Sequence, residues 1–285
     1  MTQGGSSSSN ASAADKQPFW KRLFAPGGFE WAFRMRKGDA ESFFARQDAT
    51  DGLLNERNQI LDAYPDRYVM SSTAGDVLTQ QAWNLALEWG QVVDPGSEKR
   101  DLLTLSRQWE ADLLMMDHAT KTVAAGAVCF PSSWDLSHTI GKTLEEVHGV
   151  VPRLNPQIGE MIDRFIQNLS PGKSFCRENW SFTRTNHLNY HPATGRPRLD
   201  ESITLDEVFL RIEHQLFTGL PSGVLMGIRI KTYPLKDLAS DPAVWRMAYE
   251  KIRTMPEDVA KYKSMDAAIP RLLKVMDAYQ PTNPA

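Results

Sequence analysis

Cysteine is scarce in this chain of 285 residues, where only Cys129 and Cys176 occur. Two thiols cannot build a disulfide framework, and they cannot supply the four thiolates that an iron–sulfur cluster requires. Proteins of a reducing compartment typically lack such frameworks. The sequence therefore predicts a cytoplasmic protein whose own chain holds no iron–sulfur cluster.

Nucleotide-binding loops and long apolar segments are missing as well. The chain contains neither GxGxxG nor GxxxxGK[ST], the two standard phosphate-binding loops. No apolar run approaches the roughly 20 residues that a membrane-spanning helix needs, so no membrane partner is expected. The Ser-rich start lacks the apolar core of a signal peptide, and residues 1–18 are predicted to be a disordered tail. If the protein carries out redox chemistry, its electrons are expected to come from other chains.

The overall composition is that of an ordinary globular protein. Hydrophobic residues make up 41% and charged residues 24% of the chain, which is enough apolar material for one large folded unit. The formal net charge of −3 argues against nucleic acid as the main partner.

The clearest pattern is an alternation of polar and apolar residues over 208–235, which predicts two β-strands. The segment Leu220-Pro221-Ser222-Gly223 supplies the turn between them. If the strands pair, we predict that their polar residues share one patch, made up of Arg211, Glu213, Gln215, Arg229, Lys231 and Tyr233. A solvated outer sheet face is the alternative interpretation.

Helical spacing and capping signals appear on both sides of this hairpin. Apolar residues recur at helical spacing before Gly90, where we expect Asp76 to be the N-cap. Thr143 and Glu146 fit a capping box. A longer amphipathic helix is predicted to start at Asn155, which we expect to be its N-cap.

The order of the elements predicts the fold class. Apolar runs at 111–116, 123–130 and 175–183 predict three strands before the hairpin, with helices between the second and the third. A hairpin, a helical insert and a three-strand meander are the order of a PAS-type domain. The prediction is an α+β fold with a PAS-like antiparallel sheet, central helices and helical extensions at both ends. Its parts are a helical wrap (19–100), a PAS-like core (101–239) and a C-terminal helical extension (240–285).

Five short motifs occur in a fixed order: VHGVVP (147–152), RENW (177–180), RIEHQ (211–215), LPSG (220–223) and KTY (231–233). Together they resemble the haem-dependent oxidative N-demethylase α-subunit family, formerly a domain of unknown function. The resemblance extends from about Trp20 to Tyr279. The chain departs from the family pattern at 147–152 and near Gly219, which affects the expected substrate more than the fold.

The resemblance implies a haem b cofactor bound in a PAS fold. It implies a monooxygenase-type oxidoreductase that demethylates a small secondary amine such as dimethylamine, using O₂ and releasing formaldehyde. It also implies a multi-subunit complex in which partner chains carry flavin, the iron–sulfur cluster and folate, with NADPH as the electron source. The shortage of cysteine and the missing nucleotide loops in this chain agree with the assignment of these cofactors to partner chains.

The same resemblance assigns roles to individual residues. His148 is expected to be the axial ligand of the haem iron, with His214 as the alternative because it is the only polar side chain on its strand face. Arg211 is expected to polarise dioxygen, Glu213 to hold or deprotonate the amine and Gln215 to orient them, with Tyr233 beside them. The expected propionate partners are Arg177, Arg229 and Lys231.

The predicted function is therefore haem-dependent oxidative N-demethylation. Two other classes of protein remain open on the sequence: a non-enzymatic haem-PAS sensor of gas or redox state, and a ligand-binding module without metal.

Overall fold

The computed structural model describes residues 19–279, so the tail predicted over 1–18 lies outside the described residues. Seven strands occur in this part of the chain: β1 (Arg36–Lys37), β2 (Val69–Ser71), β3 (Asp112–Asp117), β4 (Val123–Ala127), β5 (Ser174–Thr183), β6 (Phe209–Leu220) and β7 (Gly223–Pro234). They form one sheet in the order β1-β5-β6-β7-β3-β4-β2, and every neighbouring pair is antiparallel.

The helices of residues 19–279 follow the predicted order. A helical turn at 19–23 precedes α1 (Ala40–Phe44), α2 (Gly52–Ala63), α3 (Pro65–Tyr68), α4 (Thr73–Glu88) and α5 (Leu102–Ser106). Between β4 and β5 lie α6 (Leu144–His148) and α7 (Glu160–Gln167), and the chain continues after β7 with α8 (Pro242–Arg253), α9 (Glu257–Tyr262) and α10 (Ile269–Ala278). The predicted α+β class with an antiparallel sheet is confirmed. None of these described helices has the length and apolarity needed to cross a bilayer.

The capping predictions had mixed outcomes. Thr143 and Glu146 form the predicted capping box at the start of α6. In contrast, α4 is capped by Ser72, whose extended backbone lets its side chain accept the amide of Gly75, so the prediction of Asp76 is wrong. Asn155 is not a cap either, because it lies inside a π-helical turn and its side-chain amide donates to the carbonyl of Glu145 at 2.8 Å.

The register of the β6–β7 hairpin separates the predicted polar patch into two halves. The two strands close directly over Pro221-Ser222, with Leu220 opposite Gly223 and Arg211 opposite Thr232. Paired residues of an antiparallel sheet share a face, so a turn of two residues puts odd-numbered residues of β6 with even-numbered residues of β7. Arg211, Glu213 and Gln215 therefore lie on one face, and Arg229, Lys231 and Tyr233 lie on the other. The prediction of one shared patch is wrong.

Each face of the sheet packs against its own set of helices. The sheet face that carries Glu213 packs against α6 and α7 through an apolar cluster that includes Ile162, Ile166 and Phe217. We call this face the insert face. The opposite sheet face packs against both ends of the described chain, where Trp20 and α8–α10 pack in one apolar cluster with Leu210. We call this face the wrap face. Because both faces are covered, the residues that separate at the hairpin enter two different environments.

A buried ion pair holds the loop after β4 on the sheet. The guanidinium of Arg57 lies 2.5 Å from the carboxylate of Asp112, and the two side chains are 0% and 1% exposed. The same carboxylate accepts the backbone amides of Cys129 and Phe130 at 2.7 and 2.9 Å. Arg57 also donates to the carbonyls of Ser106 and Ala127. The pair therefore fixes α2, β3 and the loop after β4 relative to one another.

Replacing Asp112 with Asn should destabilise the protein strongly, because a nearly isosteric amide leaves the Arg57 charge buried without its counter-charge. Breaking one partner of such a pair costs about 3–5 kcal/mol in the free energy of unfolding. Urea denaturation followed by circular dichroism measures the loss. The matched control is Arg164→Ala, which breaks an exposed pair with Glu160 and should leave the midpoint unchanged. Equal midpoints for the two variants would contradict the role assigned to the buried pair.

Candidate functional site

A cavity of about 170 Å³ lies between the insert face and helices α6 and α7, and we call it the inner cavity. Most of its wall is apolar, with Phe165 from α7 and Phe217 from β6 among the lining side chains. The polar residues that line it are His148, Arg177, Asn179, Gln215, Tyr262 and Lys263. Such a cavity, apolar with a few convergent polar groups, is typical of ligand sites.

His148 enters the inner cavity from the end of α6. The capping box fixes the start of this short helix, and the ring of His148 makes no hydrogen bond within residues 19–279. Burial lowers the pKa of His148 to about 4, and the nearby charge of Arg177 acts in the same direction. The ring is therefore neutral at pH 7, which is the state that binds a metal.

Arg177 brings a cationic group to the same cavity. It lies on β5 opposite Gln215, so its side chain belongs to the insert face. Its Nε is buried and has no hydrogen-bond partner in the described part of the chain. Burial lowers the pKa of Arg177, while the negative charges of Glu213 and Glu178 oppose that shift. A buried donor without a partner is costly unless a ligand satisfies it, so Arg177 marks a position for an anionic group.

Glu213 lies behind the polar side chains that line the inner cavity, which we call its polar wall, and holds two of them by hydrogen bonds. Its carboxylate accepts hydrogen bonds from Ser132 Oγ at 2.5 Å, from Gln215 Nε2 at 2.8 Å and from Asn179 Nδ2 at 3.4 Å. Gln215 and Asn179 line the inner cavity, whereas Glu213 does not. Because its amide nitrogen donates to Glu213, the side chain of Gln215 can use its oxygen to accept a hydrogen bond from a ligand. The sequence predicted that Glu213 contacts the amine and that Gln215 orients it. In the structure Gln215 lines the cavity, and Glu213 orients Gln215.

Arg211 supports this network from the side. Its Nε donates to Ser132 Oγ at 2.9 Å, and its terminal nitrogens donate to the carbonyls of Phe130 and His187 at 2.8 and 3.4 Å. The guanidinium also lies 5.5 Å from the centre of the Tyr190 ring. Burial lowers the pKa of Arg211 to about 10, and Arg211 does not line the inner cavity. Its contacts make it a positioning residue for Ser132.

The three remaining predicted residues of the hairpin lie on the wrap face. Arg229 pairs with Glu110 at 2.5 Å and donates to the carbonyls of Phe43 and Ala45, both at 2.8 Å. Tyr233 packs edge-on against the ring of Trp20, with centroids 4.9 Å apart, and Lys231 lies opposite Ile212. None of the three lines the inner cavity, so the structure does not bring them together with His148.

His214, the alternative iron ligand, also belongs to the wrap face. Its ring stacks on Phe19, with centroids 5.2 Å apart, and its Nδ1 lies 4.0 Å from a carboxylate oxygen of Glu178. Its Nε2 is buried without a hydrogen-bond partner among the described residues. The sheet separates His214 from His148, so the two histidines serve different sides of the molecule.

Lys263 is a site residue that the sequence did not predict. It follows α9, and its Nζ donates to the carbonyl of Trp180 at 2.8 Å. The ammonium lies 5.2 Å from the centre of the Trp31 ring and 5.4 Å from that of Trp180. Burial lowers the pKa of Lys263 to about 8; Glu213 opposes this shift and Arg177 reinforces it. Ser132 and Asn179 were missed as well: Ser132 belongs to the site through its contact with Glu213, and Asn179 contacts Glu213 and also lines the inner cavity.

A second cavity, of about 310 Å³, lies beside the first, and we call it the outer cavity. It follows the edge of β5, whose pairing with β1 is limited to Phe175 and Cys176. An extended segment over 29–36, which we call the strap, forms the opposite wall and also contributes to the inner cavity. The two cavities share Trp31, Met35, Arg177, Asn179 and Lys263.

Residues 44–273 match the family model described as haem-dependent oxidative N-demethylase, alpha subunit-like. The chain belongs to this family. The match covers most of the chain, confirms the predicted resemblance, and includes His148, Arg177, Glu213 and Lys263. The family description names a haem-dependent oxidative enzyme subunit, and an alpha subunit implies other subunits. The strap lies outside the match.

Stability should depend on pH through His214. Burial, reinforced by Lys231, lowers the pKa of His214 from 6.5 to about 4, so between these pH values the unfolded chain binds a proton that the folded chain does not. Stability of the haem-free protein should therefore fall as pH decreases through this window, with a contribution from His214 on the order of 2–3 kcal/mol.

Urea unfolding at a series of pH values measures this slope. His214→Gln should reduce the slope of unfolding free energy between pH 6.5 and about 4, because the variant lacks one of the groups that titrate there, while His148 keeps its contribution. The exposed His138 is the control, and His138→Gln should leave the curve unchanged. An unaltered slope in His214→Gln would show that this ring is not held neutral by the fold.

Proposed function

We propose that this protein is the haem-binding subunit of an enzyme that oxidatively removes a methyl group from a small secondary amine. The observation that supports it most is the neutral His148 ring, which enters an apolar cavity opposite the polar wall organised by Glu213. Dimethylamine is the simplest substrate of this class, with formaldehyde as a product. In a balanced reaction, R–NH–CH₃, O₂, two electrons and two protons give R–NH₂, formaldehyde and water.

The residues of the inner cavity fit a haem. His148 would hold the iron, since its imidazole has no competing hydrogen bond in the described chain, and Phe165 and Phe217 would flank the ring system. Arg177 would meet a propionate, which would satisfy its buried Nε. Arg229 and Lys231 lie on the wrap face, so we assign no propionate to them. We propose haem b, because the sequence has no CxxCH attachment motif.

When bound, haem supplies the iron that activates dioxygen. The work of the chain is to position the amine. Gln215 presents its oxygen to the N–H group of the substrate, and Glu213 fixes that orientation while its charge compensates the protonated amine. Ser132 and Asn179 hold the carboxylate in place, and Arg211 holds Ser132. The apolar side chains around the cavity exclude water from the reacting methyl group.

We also propose that the core is PAS-like and that the electrons arrive from partner subunits. The β3–β4 hairpin, the helical insert with α6 and α7, and the β5–β7 meander that closes on β3 follow the predicted order of such a domain. Flavin, an iron–sulfur cluster and NADPH are assigned to partner chains because this chain has two cysteines and neither nucleotide loop. The cytoplasmic location stays a prediction.

The haem proposal is tested by the absorption spectrum of the purified full-length protein. A Soret band at about 400 nm is expected, because that absorption is characteristic of the cofactor. His148→Ala should lose the band and His214→Ala should keep it, since only His148 lines the inner cavity. No band in the unaltered protein would remove the proposal, and the reverse behaviour of the two variants would move the iron to the wrap face.

The role of Glu213 is tested by Glu213→Gln, which keeps an acceptor for Ser132 and removes the negative charge. Amine affinity should fall roughly tenfold or more, because the attraction between the carboxylate and a protonated amine at short range contributes about that much to binding at a half-buried site. Haem content should stay unchanged. Titration of the Soret band with dimethylamine gives the affinity, and Glu257→Gln on the exposed surface is the control. Equal losses of haem and affinity would make Glu213 a structural residue only.

A further inference from the structure

The outer cavity carries more positive charge than its carboxylates neutralise. Two of its arginines have partners: Arg34 pairs with Glu30 at 2.6 Å, and Arg36 pairs with Glu178 at 2.5 Å. Arg177, Lys251 and Lys263 also line the cavity, and none of the three forms an ion pair within residues 19–279. Arg22 also lines the cavity, and its guanidinium lies 5.7 Å from the centre of the Phe19 ring. Besides Arg22, the excess charge thus lies on Arg177, which is also the expected propionate partner, and on two lysines.

The two lysines retain donors for a ligand. Lys251 is 5% exposed, and its Nζ donates to the carbonyl of Gly28 at 2.6 Å. Lys263 donates in the same way to the carbonyl of Trp180. An ammonium group has three N–H donors, so each lysine has used one of them on the backbone. Burying a charge without a counter-charge is costly, and an anion between the two lysines would relieve that cost.

The charge of the shared wall also discriminates among amines. The charge of Glu213 acts on Arg177, Arg211 and Lys263. Glu178 also acts on Arg177 and Asp112 on Arg211, but these two carboxylates are themselves paired with Arg36 and Arg57. A plain dialkylammonium ion that approaches Gln215 is attracted by Glu213, but the positive charges of Arg177 and Lys263 weaken that attraction. An amine that brings its own carboxylate is attracted, provided that the carboxylate can reach the outer cavity. Trp31, Met35, Arg177, Asn179 and Lys263 line both cavities, so the two lie side by side.

We propose that the outer cavity binds the carboxylate of the substrate, so that the preferred substrate is a secondary N-methyl amine that also carries a carboxylate, an N-methyl amino acid. The inference rests on the proposed function for the position of the reacting methyl group. The carboxylate lies between Lys251 and Lys263, and the amine nitrogen lies at Gln215. The N-methyl group then points into the apolar inner cavity, towards His148.

Isothermal titration calorimetry on the haem-loaded, full-length protein tests this assignment with two matched ligands. N-Methylethylamine is N-methylglycine with a methyl group in place of the carboxylate. N-Methylglycine should bind roughly tenfold to a hundredfold more tightly, which is the usual worth of hydrogen bonds to a charged group. Equal affinities, or tighter binding of N-methylethylamine, would overturn the inference and leave the demethylase proposal intact.

Variants at Lys251 connect the preference to the cavity. Lys251→Met should remove most of the preference for N-methylglycine and leave N-methylethylamine affinity unchanged, whereas Lys251→Arg should keep much of the preference because the charge stays. The control is Lys261→Met, which alters an exposed lysine paired with Glu257. A preference that survives Lys251→Met would overturn the inference. Loss of the Soret band in Lys251→Met would also overturn it, because Lys251 would then hold the cofactor.

The same titration separates this inference from the proposed function. If the unaltered protein takes up no haem, the demethylase proposal fails, and the haem-free protein is titrated instead. Binding of N-methylglycine that depends on Lys251 would still support the carboxylate site. Absence of that binding would overturn both proposals together.

Discussion

The buried contact between Arg57 and Asp112 is the constraint on which the polar wall of the inner cavity depends. Asp112 fixes the amides of Cys129 and Phe130, and the carbonyl of Phe130 then receives Arg211. Arg211 in turn holds Ser132 against Glu213, and Glu213 orients Gln215. A charge pair with no access to solvent thereby determines the direction of an amide that faces the ligand.

The length of the β6–β7 turn decides which side chains of the hairpin share a face of the sheet. The hairpin turn contains two residues, and this number sets the relation between alternation in β6 and alternation in β7. A turn of three residues would have placed Arg229 and Lys231 beside Glu213. Because the turn has two residues, Arg229 and Lys231 lie on the wrap face, where Arg229 binds Glu110 and the carbonyls of Phe43 and Ala45 at the end of α1. Arg229 and Tyr233 thus contact the N-terminal segment, whereas Gln215 lines the inner cavity with Glu213 and Arg211 behind it.

The sequence predicted the elements well where a local pattern carries the information. Alternation identified β6 and β7, and the capping box identified the start of α6. The edge strands β1 and β2 were missed, because two or three residues are too few for a period. Asn155 has the side chain of a cap, but its backbone continues a π-helical turn, which no residue type signals by itself.

The site was less predictable because it is assembled from distant segments. His148 and Arg177 were found through motifs, yet nothing around Lys263 distinguishes it from the other lysines of the C-terminal region. Its role comes from two indole rings and a carbonyl on other elements. The exchange of positions between Glu213 and Gln215 is likewise set by which strand residue reaches the cavity, a property that alternation alone does not specify.

The strap has a consequence for how the protein is made. Trp31 donates to the carbonyl of Pro152 across a sequence separation of 121, and Phe29 donates to Thr254 Oγ1 across 225. Contacts of such long range form late, since most of the chain must be ordered before they close. During synthesis the wall that both cavities share is incomplete until α9 and Lys263 have left the ribosome. We therefore expect the cofactor to be inserted after translation rather than into the growing chain.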